Sequence, residues 1–511
     1  MATAQKKAEI LEKLNDPILR RNLNTFADAY WVSREKAYAG KDFPRLREQI
    51  KQAKSEARQN LDQLADQFTK AAEQQGAKVF RAANGADVKE YILGLAREKG
   101  VTSIVKSKSM ASEEIHLNDF LREKDLQVIE TDLGEYIIQL SGERPSHMVM
   151  PAIHKSREQV ADLFSKELEK DVAPDIKEMV KLSREVLREE YFKAGMGISG
   201  ANLGVAETGS IILVTNEGND RLVTTLPPVH VVLMGYEKLV KTLNDARPIL
   251  EALPRSATGQ KITSYISIIN GTTPAVDPEG NPVDKELHII LLDNGRLEMA
   301  KDPVMGQAWQ CIRCGSCLNV CPVYQMVGGH VYGDIYAGGI GVILTSFVNS
   351  AKEADKLQEL CIACGRCKEV CPGKVPITDL IVELRDRLTS QRELPGIAKF
   401  IFNKVMSNRK VFHSMLRVAA LGQKPLTLGA PTMRHLHLFG LTEFRSLPVI
   451  ATKPFRDLIK EYKQNVPENA PAVQFFIGCA TDFAYPEVGM AAVKVMNHLG
   501  YRVRFSDKQS C

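Results

Sequence analysis

The feature that most constrains this 511-residue chain is a run of four cysteines that occurs twice. The copies read "CIRCGSCLNVCP" at 311–322 and "CIACGRCKEVCP" at 361–372, and both follow the pattern C-x2-C-x2-C-x3-C-P. The first 310 residues contain no cysteine, and the two remaining cysteines lie at 479 and 511. Clustered cysteines of this kind indicate metal ligands rather than a disulfide framework.

The spacing within the runs is typical of proteins that bind two [4Fe–4S] clusters. Three closely spaced thiolates of one run hold one cluster, whereas the fourth, three residues further on, holds the other. We therefore expect two ligand sets, each completed by the last cysteine of the opposite run. The cluster-1 set is Cys311, Cys314, Cys317 and Cys371, and the cluster-2 set is Cys361, Cys364, Cys367 and Cys321.

Zinc is the alternative metal for cysteine pairs. Zinc ribbons bring two C-x2-C pairs to one tetrahedral ion, and two four-cysteine runs that each end in Cys-Pro do not suit that arrangement. Gly315 and Gly365 let the backbone approach inorganic sulfur closely. Helical sequence around both runs predicts a helical ferredoxin module over 301–390, which would act as an electron conduit.

Upstream of the runs, residues 77–300 alternate between helical stretches and short β-branched runs. These runs are "AKVFRA", "TSIVKS", "LQVIET", "GSIILVTN", "HVVLMGY" and "ELHIILLD". The alternation predicts an α/β domain with a mainly parallel sheet. One helix is expected after Ser156, which forms a candidate capping box with Gln159. Residues 1–76 are predicted to be a helical extension whose apolar stripe packs on this domain.

A glycine-rich stretch at 194–235 contains G-x-G-x-x-G, but a helical run precedes it and a strand follows. That order excludes a dinucleotide fingerprint and favours a tight loop. Polar residues are dense near the neighbouring strand ends, where open α/β sheets bind ligands. They predict a small-anion pocket, with simple turn formation as the alternative. Its candidate residues are Glu207, Thr208, Asn216, Arg221, Thr224 and Thr225.

Residues 391–470 are predicted to be a basic helical linker. Between 395 and 463, twelve Lys and Arg face three Asp and Glu, a local net charge of +9 against +5 for the whole chain. The basic stretch is either a solvated face or a docking surface for an acidic partner or an anionic membrane. The overall charge does not indicate a nucleic-acid-binding protein.

The N-terminal sequence lacks the features of a secretion signal, and no apolar run reaches membrane-spanning length. We therefore expect a cytoplasmic protein, with peripheral attachment to the inner face of the membrane as an option.

Several long motifs resemble those of the lactate-utilisation iron–sulfur proteins. They are "SMASEEIHLNDFL", "VIETDLGEYIIQLSGERPSHMVMPAIHKSREQV", "GANLGVAETGSIILVTNEGNDRLVTTLP" and "CIRCGSCLNVCPVYQMVGGHVYGDIYAGGIGVIL". The resemblance extends from about residue 60 to about residue 460. It implies that residues 77–300 form a LUD domain, with a fold similar to that of ribose-5-phosphate isomerase and CoA transferases. It also implies two [4Fe–4S] clusters and a place in a multi-protein system that oxidises L-lactate.

This resemblance implies an electron-transfer subunit that relays electrons from lactate as pyruvate is formed. The implied partners are LUD-only and cysteine-rich subunits, lactate, and an unidentified electron acceptor, with a membrane-associated acceptor as an option. The sequence shows no flavin motif, so a flavin, if used, is expected on a partner. No catalytic residue can be named from spacing.

Three other functions stay open at the level of sequence. One is an electron-transfer subunit for another 2-hydroxy acid, as in glycolate oxidase, or for a heterodisulfide-reductase-like reaction. Another is a LUD-domain transferase or isomerase with a redox-sensing module. The third is a non-enzymatic iron–sulfur scaffold or sensor.

The tail, residues 471–511, resembles the opening of the CCG cysteine-rich domain of heterodisulfide reductase and glycolate oxidase subunits. Cys479 and Cys511 are separated by 31 residues, so Cys511 would be the first of that domain's paired cysteines. We therefore expect the chain to be a fragment, cut inside a domain that could hold a further cluster when complete. The alternative is that Cys479 lies in a strand-end turn and Cys511 is an exposed thiol.

Overall fold

A computed structural model describes residues 4–272, 275–276, 280–390, 396–423, 427, 432–433 and 447–509. The chain divides into two compact units, Met1–Gln391 and Arg392–Cys511. Within the described ranges, no helix combines the length and apolar composition that crossing a lipid bilayer requires. The predicted domain boundaries at 76, 300, 390 and 470 stay predictions.

The first unit opens with helices that pack on the sheet domain. They are α1 (Ala4–Leu14), α2 (Pro17–Tyr38), α3 (Phe43–Gln59) and α4 (Leu61–Gln74). The predicted apolar stripe along α3 and α4 is buried from Leu46 to Phe68, and the Phe68 ring lies against Gly204 of the sheet domain. At the end of the stripe Ala72 is fully buried, whereas the predicted Ala71 is only half-buried.

The main sheet has six strands, all parallel, as the alternating pattern predicts. In chain order they are β1 (Lys78–Ala82), β2 (Ser103–Lys106), β3 (Gln127–Glu130), β4 (Met196–Ser199), β7 (Val229–Gly235) and β12 (Glu286–Leu292). Their spatial order is β1-β12-β7-β4-β2-β3. The central strands read as continuous apolar runs because helices cover both faces of the sheet.

Four of the remaining strands form a second sheet in the order β8-β5-β6-β9. These strands are β5 (Leu203–Val205), β6 (Ser210–Thr215), β8 (Leu239–Val240) and β9 (Tyr265–Ile269). A short antiparallel pair, β10 (Ala275–Val276) and β11 (Pro282–Val283), precedes β12. The predicted strand "GSIILVTN" is therefore a strand, but it pairs antiparallel in the second sheet instead of joining the parallel one.

The predicted glycine loop is wrong, because Gly197 lies inside strand β4. A side chain at Gly197 would lie 2.1 Å from the carbonyl oxygen of Val223, on the helix that packs over this strand. The glycine therefore permits close helix–strand packing, and it does not form a phosphate-binding turn. The exclusion of a dinucleotide fingerprint agrees with this geometry, since the motif does not link a strand to a helix.

Helices surround and connect the strands of the first unit. They are α5 (Gly85–Glu98), α6 (Met110–Glu114), α7 (Leu117–Arg122), α8 (Leu133–Ser141), α9 (Arg157–Leu168), α10 (Ile176–Lys193), α11 (Asn219–Thr225), α12 (Leu243–Ala257) and α13 (Arg296–Lys301). The predicted capping box is present at α9, where Ser156 and Gln159 each accept the other's main-chain N–H. Two 3-10 segments occur at Tyr236–Lys238 and Met305–Gln310.

The cysteine region is helical, as predicted. Its helices are α14 (Ser316–Asn319), α15 (Pro322–Val331), α16 (Gly338–Val348), α17 (Ala351–Gln358), α18 (Arg366–Val370) and α19 (Ile377–Thr389). One apolar core is continuous from α4 through the main sheet into this helical module, with Phe68, Val232 and Trp309 among its buried members. The module and the sheet domain therefore share a core within the first unit.

The second unit contains helices and short strand pairs. The helical segments are α20 (Gly396–Phe400), a π-helical turn (Ile401–Met406), α21 (Arg409–Gly422), α22 (Phe455–Glu461), α23 (Cys479–Phe483) and α24 (Pro486–His498). The strands are β13 (Thr432–Met433), β14 (Leu447–Pro448), β15 (Ala472–Gln474) and β16 (Arg502–Arg504). Strands β15 and β16 pair in parallel, and Phe455, Ile477 and Val493 form a small core beside them.

Candidate metal centre

The two cysteine runs have the same backbone conformation, as their shared spacing leads one to expect. Arg313 and Ala363, at equivalent positions, have positive φ angles of 59° and 53°. Gly315 and Gly365 follow with φ angles of 73° and 81°, each at the start of a short helix. A left-handed conformation at this point favours glycine, so the glycine in each run has a local structural reason.

The cluster-1 set surrounds one small cavity. Cys311, Cys314 and Cys317 of the first run line it together with Cys371 of the second run. The three cysteines of this set other than Cys311 are each at most 9% exposed. The structure thus brings the fourth thiol from 54 residues away in sequence, as the ferredoxin spacing predicts.

The cluster-2 set likewise combines cysteines of both runs, because Cys321 of the first run lies near the first three cysteines of the second run. Burial, together with the nearby Cys364 and Cys361, raises the pKa of the Cys321 thiol to about 11. Burial and the neighbouring Cys321, Cys361 and Cys364 raise the pKa of Cys367 to about 12. Cys364 is exposed, so this set lies nearer the protein surface than the cluster-1 set does.

Main-chain donors approach the sulfurs of the cluster-1 set. The N–H of Arg313 donates to Cys311 Sγ at 3.4 Å, and the N–H of Val375 donates to Cys371 Sγ at the same distance. Such donors stabilise the negative charge of thiolate and sulfide. Buried thiols that bind no metal stay protonated and carry no such charge, so the donors suit metal-bound sulfur. The two groups of four thiols therefore fit two four-thiolate clusters in number, grouping and hydrogen bonding.

A second and larger cavity, which we call the strand-end cavity, adjoins the cluster-1 set. Its volume is about 320 Å³, and it lies past the carboxyl ends of β2, β4 and β7. Met148 lines both this cavity and the cavity of the cluster-1 set. Arg313, which stands between Cys311 and Cys314, also lines the strand-end cavity. A ligand held here would be next to the cluster-1 set.

A buried ionic network forms one wall of the strand-end cavity. Glu237 accepts hydrogen bonds from Arg296 Nε at 2.7 Å and from Arg313 Nη2 at 3.1 Å. Arg296 also donates two hydrogen bonds to Glu114, at 2.8 and 2.7 Å, and the Tyr336 hydroxyl donates to the same carboxylate. Burial raises the pKa of Glu237, but the two guanidinium groups outweigh it and hold this pKa well below its usual range.

A separate acidic group, Asp132, Glu217 and Asp220, lines another part of the cavity. Burial raises the pKa of Asp220 to about 6, with the Asp132 carboxylate acting in the same direction. Carboxyl groups with such raised pKa values occur often in ligand sites, because desolvation and like charges are tolerated there.

His147 fixes the loop that separates the two cavities. Its Nδ1 accepts main-chain N–H groups from Val149 at 3.0 Å and Met150 at 3.1 Å, so Nε2–H donates to Asn319 Oδ1 at 2.9 Å. Burial lowers the pKa of His147 to about 3, which keeps the ring neutral. Asn319 belongs to the first cysteine run, so this histidine connects the run to the sheet domain.

The six residues of the predicted small-anion pocket are not gathered into one site. Asn216 lines the strand-end cavity, whereas exposed Arg221 stacks on the Tyr265 ring, and the Thr224 and Thr225 hydroxyls both donate to the Arg221 carbonyl oxygen. The remaining two, Glu207 and Thr208, lie in the tight turn between β5 and β6. Thr224 and Thr225 therefore bond back to a carbonyl group of their own helix, α11, and only Glu207 and Thr208 fit the alternative of turn formation.

Sequence reasoning missed the residues that actually line the cavity wall. Glu237 follows the carboxyl end of β7, and the rule that ligands bind at such ends could have singled it out. Arg296 and Arg313 carry no sequence signal of this kind, because their roles depend on contacts with distant segments. Of the two tail cysteines, Cys479 begins helix α23, and Cys511 lies outside the described residues.

Comparisons with known proteins agree with this architecture. The LUD domain family model matches residues 65–292, and the 4Fe-4S dicluster domain model matches residues 307–375. Lactate utilization protein B 1 of Bacillus mycoides (strain KBAB4) is 35% identical over 465 residues, which cover 89% of this chain and 95% of that protein. Lactate utilization protein B of Bacillus cytotoxicus is 36% identical over 424 residues, 82% of this chain and 88% of that protein.

A crystal structure of a DUF162 family protein from Deinococcus radiodurans covers 45% of this chain and 98% of that chain. Its sequence identity is 13% and its TM-score is 0.25, a similarity too weak to support a structural inference.

Proposed function

Since the chain belongs to the lactate utilization protein B family, we propose that it is the iron–sulfur electron-transfer subunit of a system that oxidises L-lactate to pyruvate. The observation that carries this proposal is the grouping of eight cysteines into two sets of four across the two runs. Oxidation of one lactate releases two electrons, whereas a [4Fe–4S] cluster carries one. Two clusters in series therefore suit transfer of the pair one electron at a time.

The chain's own residues prepare the cluster-1 set for negative charge. When bound, [4Fe–4S] clusters supply one-electron carriers whose potentials depend on hydrogen bonds, burial and nearby charge. The N–H groups of Arg313 and Val375 donate to ligand sulfurs. The Arg313 side chain adds a buried positive charge close to Cys311. Both features stabilise added electron density and raise the reduction potential at this set.

The burial of the two sets supports a direction for the relay. The cluster-1 set is buried beside the strand-end cavity, whereas the cluster-2 set includes exposed Cys364. Electrons would enter at the buried set and leave through the exposed one. The acceptor there is proposed to be a cysteine-rich or LUD-only lactate-utilisation subunit or a membrane-associated acceptor, and any flavin is proposed to lie on such a partner.

The test uses the full chain, reconstituted anaerobically and mixed with its partner subunits. We expect about eight irons per chain and bleaching of the cluster absorbance when L-lactate is added. Glycolate, tested in parallel, distinguishes a glycolate-oxidising system from one specific for lactate. About four irons or fewer per chain, tetrahedral zinc, or clusters that L-lactate leaves oxidised in the presence of the partners would overturn the proposal.

Peripheral membrane association is proposed from one surface of the second unit, residues 396–422, which we call the basic apolar face. Ile397, Phe400 and Phe402 are 74%, 60% and 52% exposed. Lys399 and Lys404 alternate with them, and further lysine and arginine residues follow in α21. Exposed apolar side chains beside cations are typical of segments that lie on anionic bilayers.

Vesicle sedimentation tests this association. We expect the protein to sediment with phosphatidylglycerol vesicles and to remain free with phosphatidylcholine vesicles, because the cations need an anionic surface. The double variant Phe400→Ser/Phe402→Ser should lose sedimentation, since its apolar contribution is removed. The control variant Val488→Ser changes an exposed apolar residue outside the basic apolar face and should behave as the wild type. Equal binding of all three proteins to both lipids would contradict the proposal.

A further inference from the structure

The strand-end cavity contains a buried cation with an unused hydrogen-bonding position. Arg313 is only 8% exposed, its Nη2 donates to Glu237, and its guanidinium lies 4.8 Å from the centre of the Tyr336 ring. Its Nη1 is buried and has no hydrogen-bond partner. A buried guanidinium donor left without an acceptor is unfavourable, so this position calls for an acceptor that the described residues do not supply.

The neighbouring Arg296 has no such free position. Its guanidinium is shared between Glu114 and Glu237, with three hydrogen bonds of 2.7 to 2.8 Å to the two carboxylates. Glu237 is therefore held by Arg296 on one oxygen and by Arg313 on the other. Arg296 thus has a structural role, and Arg313 is the arginine of this network that can receive a ligand.

The local charge favours an anionic ligand. Four cations surround Glu237, namely Arg296, Arg313, Lys238 and Lys54, and Glu114 is the second carboxylate of the network. Burial lowers the pKa of Lys54 to about 7 and that of Lys238 to about 8, so the two arginines are the permanent cations and the two carboxylates balance them. Lys238 lines the cavity as well, whereas Lys54 donates to the Glu237 carbonyl oxygen from the other side. An anion on Arg313 would favour the protonated form of Lys238, and the charge of Lys238 would in turn attract the anion.

The rest of the lining indicates an organic anion with a small apolar body. Met148, Met150, Leu213 and Met234 line the cavity beside the cations. Arginine pairs preferentially with carboxylate or phosphate. The acidic group of Asp132, Glu217 and Asp220 in the same cavity opposes a dianion such as a phosphate ester more than a monoanion. It also offers acceptors for a hydroxyl group of the ligand.

We propose that the strand-end cavity binds a small organic monocarboxylate of the 2-hydroxy or 2-oxo acid class, with its carboxylate on Arg313 Nη1 and near Lys238. The carboxylate then lies on the residue that directly precedes Cys314 and stands two positions after Cys311, next to the cluster-1 set. That this ligand is the substrate rests on the proposed function, whereas its binding does not. The assignment places an organic ligand on this chain itself.

The experiment uses the full chain with both clusters reconstituted and reduced by dithionite, without partner subunits. Reduced [4Fe–4S] clusters are paramagnetic, so the methyl proton resonance of a lactate molecule exchanging with this cavity should broaden. We expect saturable broadening with lactate and pyruvate, competition by acetate, and none by inorganic phosphate. Binding of phosphate alone would overturn the proposal in favour of a phosphate-ester site.

The variants locate the site. Arg313→Gln removes the cation and should weaken lactate binding about ten- to hundredfold, and Arg313→Lys should restore part of it. Lys238→Gln tests the same cavity from a residue outside the cysteine runs, in case Arg313→Gln disturbs cluster assembly. Arg221→Gln, an exposed arginine stacked on Tyr265, is the matched control and should bind lactate normally.

The iron content of every variant is measured first. Unchanged lactate broadening in both Arg313→Gln and Lys238→Gln with full iron, or no broadening in the wild type, would overturn the inference. Lactate binding here without lactate-driven cluster reduction in the presence of partners would leave the inference standing and refute the proposed function. Conversely, cluster reduction by lactate in a wild type that shows no binding at this cavity would support the proposed function and refute the inference.

Discussion

Among single residues, the last cysteine of each run has the role that depends most on tertiary structure. Cys371 lies in the second run but lines the cavity of the cluster-1 set. Cys321 lies in the first run but interacts with Cys364 and Cys361 of the second. Each run alone would leave one set short of a ligand, so the two runs depend on each other for assembly.

Pairs of cysteine variants test this crossed arrangement. Cys371→Ser should leave about four irons per chain, and adding Cys311→Ser should remove no more, since both changes affect one set. Adding Cys361→Ser to Cys371→Ser should remove the second cluster as well. Iron analysis and electron paramagnetic resonance measure these outcomes, with Cys479→Ser as the control. If the Cys361/Cys371 double variant keeps one cluster, ligation within each run would replace the crossed arrangement.

A buried histidine gives the sheet domain a pH dependence. His230 lies on β7 and hydrogen-bonds to the Ser199 hydroxyl on β4. Burial, with Lys285 and His288 acting in the same direction, lowers the pKa of His230 to about 3. In the unfolded chain the His230 imidazole binds a proton near pH 6.5, whereas in the folded chain it stays neutral to a much lower pH. Stability is therefore lost as the pH falls from about 6.5 toward 3.

The variant His230→Gln should reduce this dependence. Below about pH 6, the slope of unfolding free energy against pH should decrease by up to about 1.4 kcal/mol per pH unit relative to the wild type. Urea unfolding at pH 7.5, 6.0 and 5.0 gives the slopes. Parallel slopes for the two proteins would show that His230 is protonated in the folded state.

At the scale of secondary-structure elements, two helical glycines, Gly341 and Gly94, differ in whether a β-carbon would fit. Gly341 lies in α16, and a β-carbon there would lie 2.1 Å from the Tyr336 carbonyl oxygen. Gly94 lies inside α5, where a β-carbon would meet no atom within 4 Å. Close backbone packing explains the first glycine, whereas the second only lowers helix propensity.

Alanine at these two positions should therefore change stability in opposite directions. Gly94→Ala should stabilise the protein by up to about 1 kcal/mol, because alanine favours the helix and restricts the unfolded chain. Gly341→Ala should destabilise it by about 1–3 kcal/mol, because backbone must shift to accept the methyl group. Chemical denaturation measures both changes, and a stabilised Gly341→Ala variant would contradict the close packing at α16.

At the scale of the whole molecule, the helical module and the sheet domain form one unit with a shared core. His147 and Asn319 connect the sheet domain to the first cysteine run. The cluster ligands are drawn from both runs, and these surround α15, α16 and α17 in sequence. Metal bound only by the folded arrangement stabilises all of these elements together.

Removal of iron should consequently destabilise the first unit as a whole. We expect anaerobic chelation to lower its unfolding temperature and to expose sites near 146–151 and 333–337 to protease, because both segments contact the cluster region. Scanning calorimetry and mass-spectrometric mapping of cleavage sites provide the measurements. An unfolding temperature that is the same with and without iron would show that the module folds independently of its metal.

Local patterns allowed the sequence by itself to determine five of the six strands of the main sheet, all except β4, together with the α9 capping box and the helical nature of the cysteine module. Strand alternation, capping pairs and cysteine spacing are encoded within a few neighbouring residues, so they can be predicted from short segments. The glycine motif led to a wrong prediction, because Gly197 is explained by its close approach to Val223 on another element and not by its neighbours in sequence.

Only the tertiary structure decided which polar residues form the strand-end cavity. Glu237, Arg296 and Arg313 meet in its wall from three separate segments of the chain, and Lys54 and Glu114 reach this network from two more. No local pattern relates them, since their contacts exist only after the sheet and the cysteine module have packed together. The hydroxyls of the predicted Thr224 and Thr225, in contrast, hydrogen-bond within helix α11, so their contacts are local in sequence.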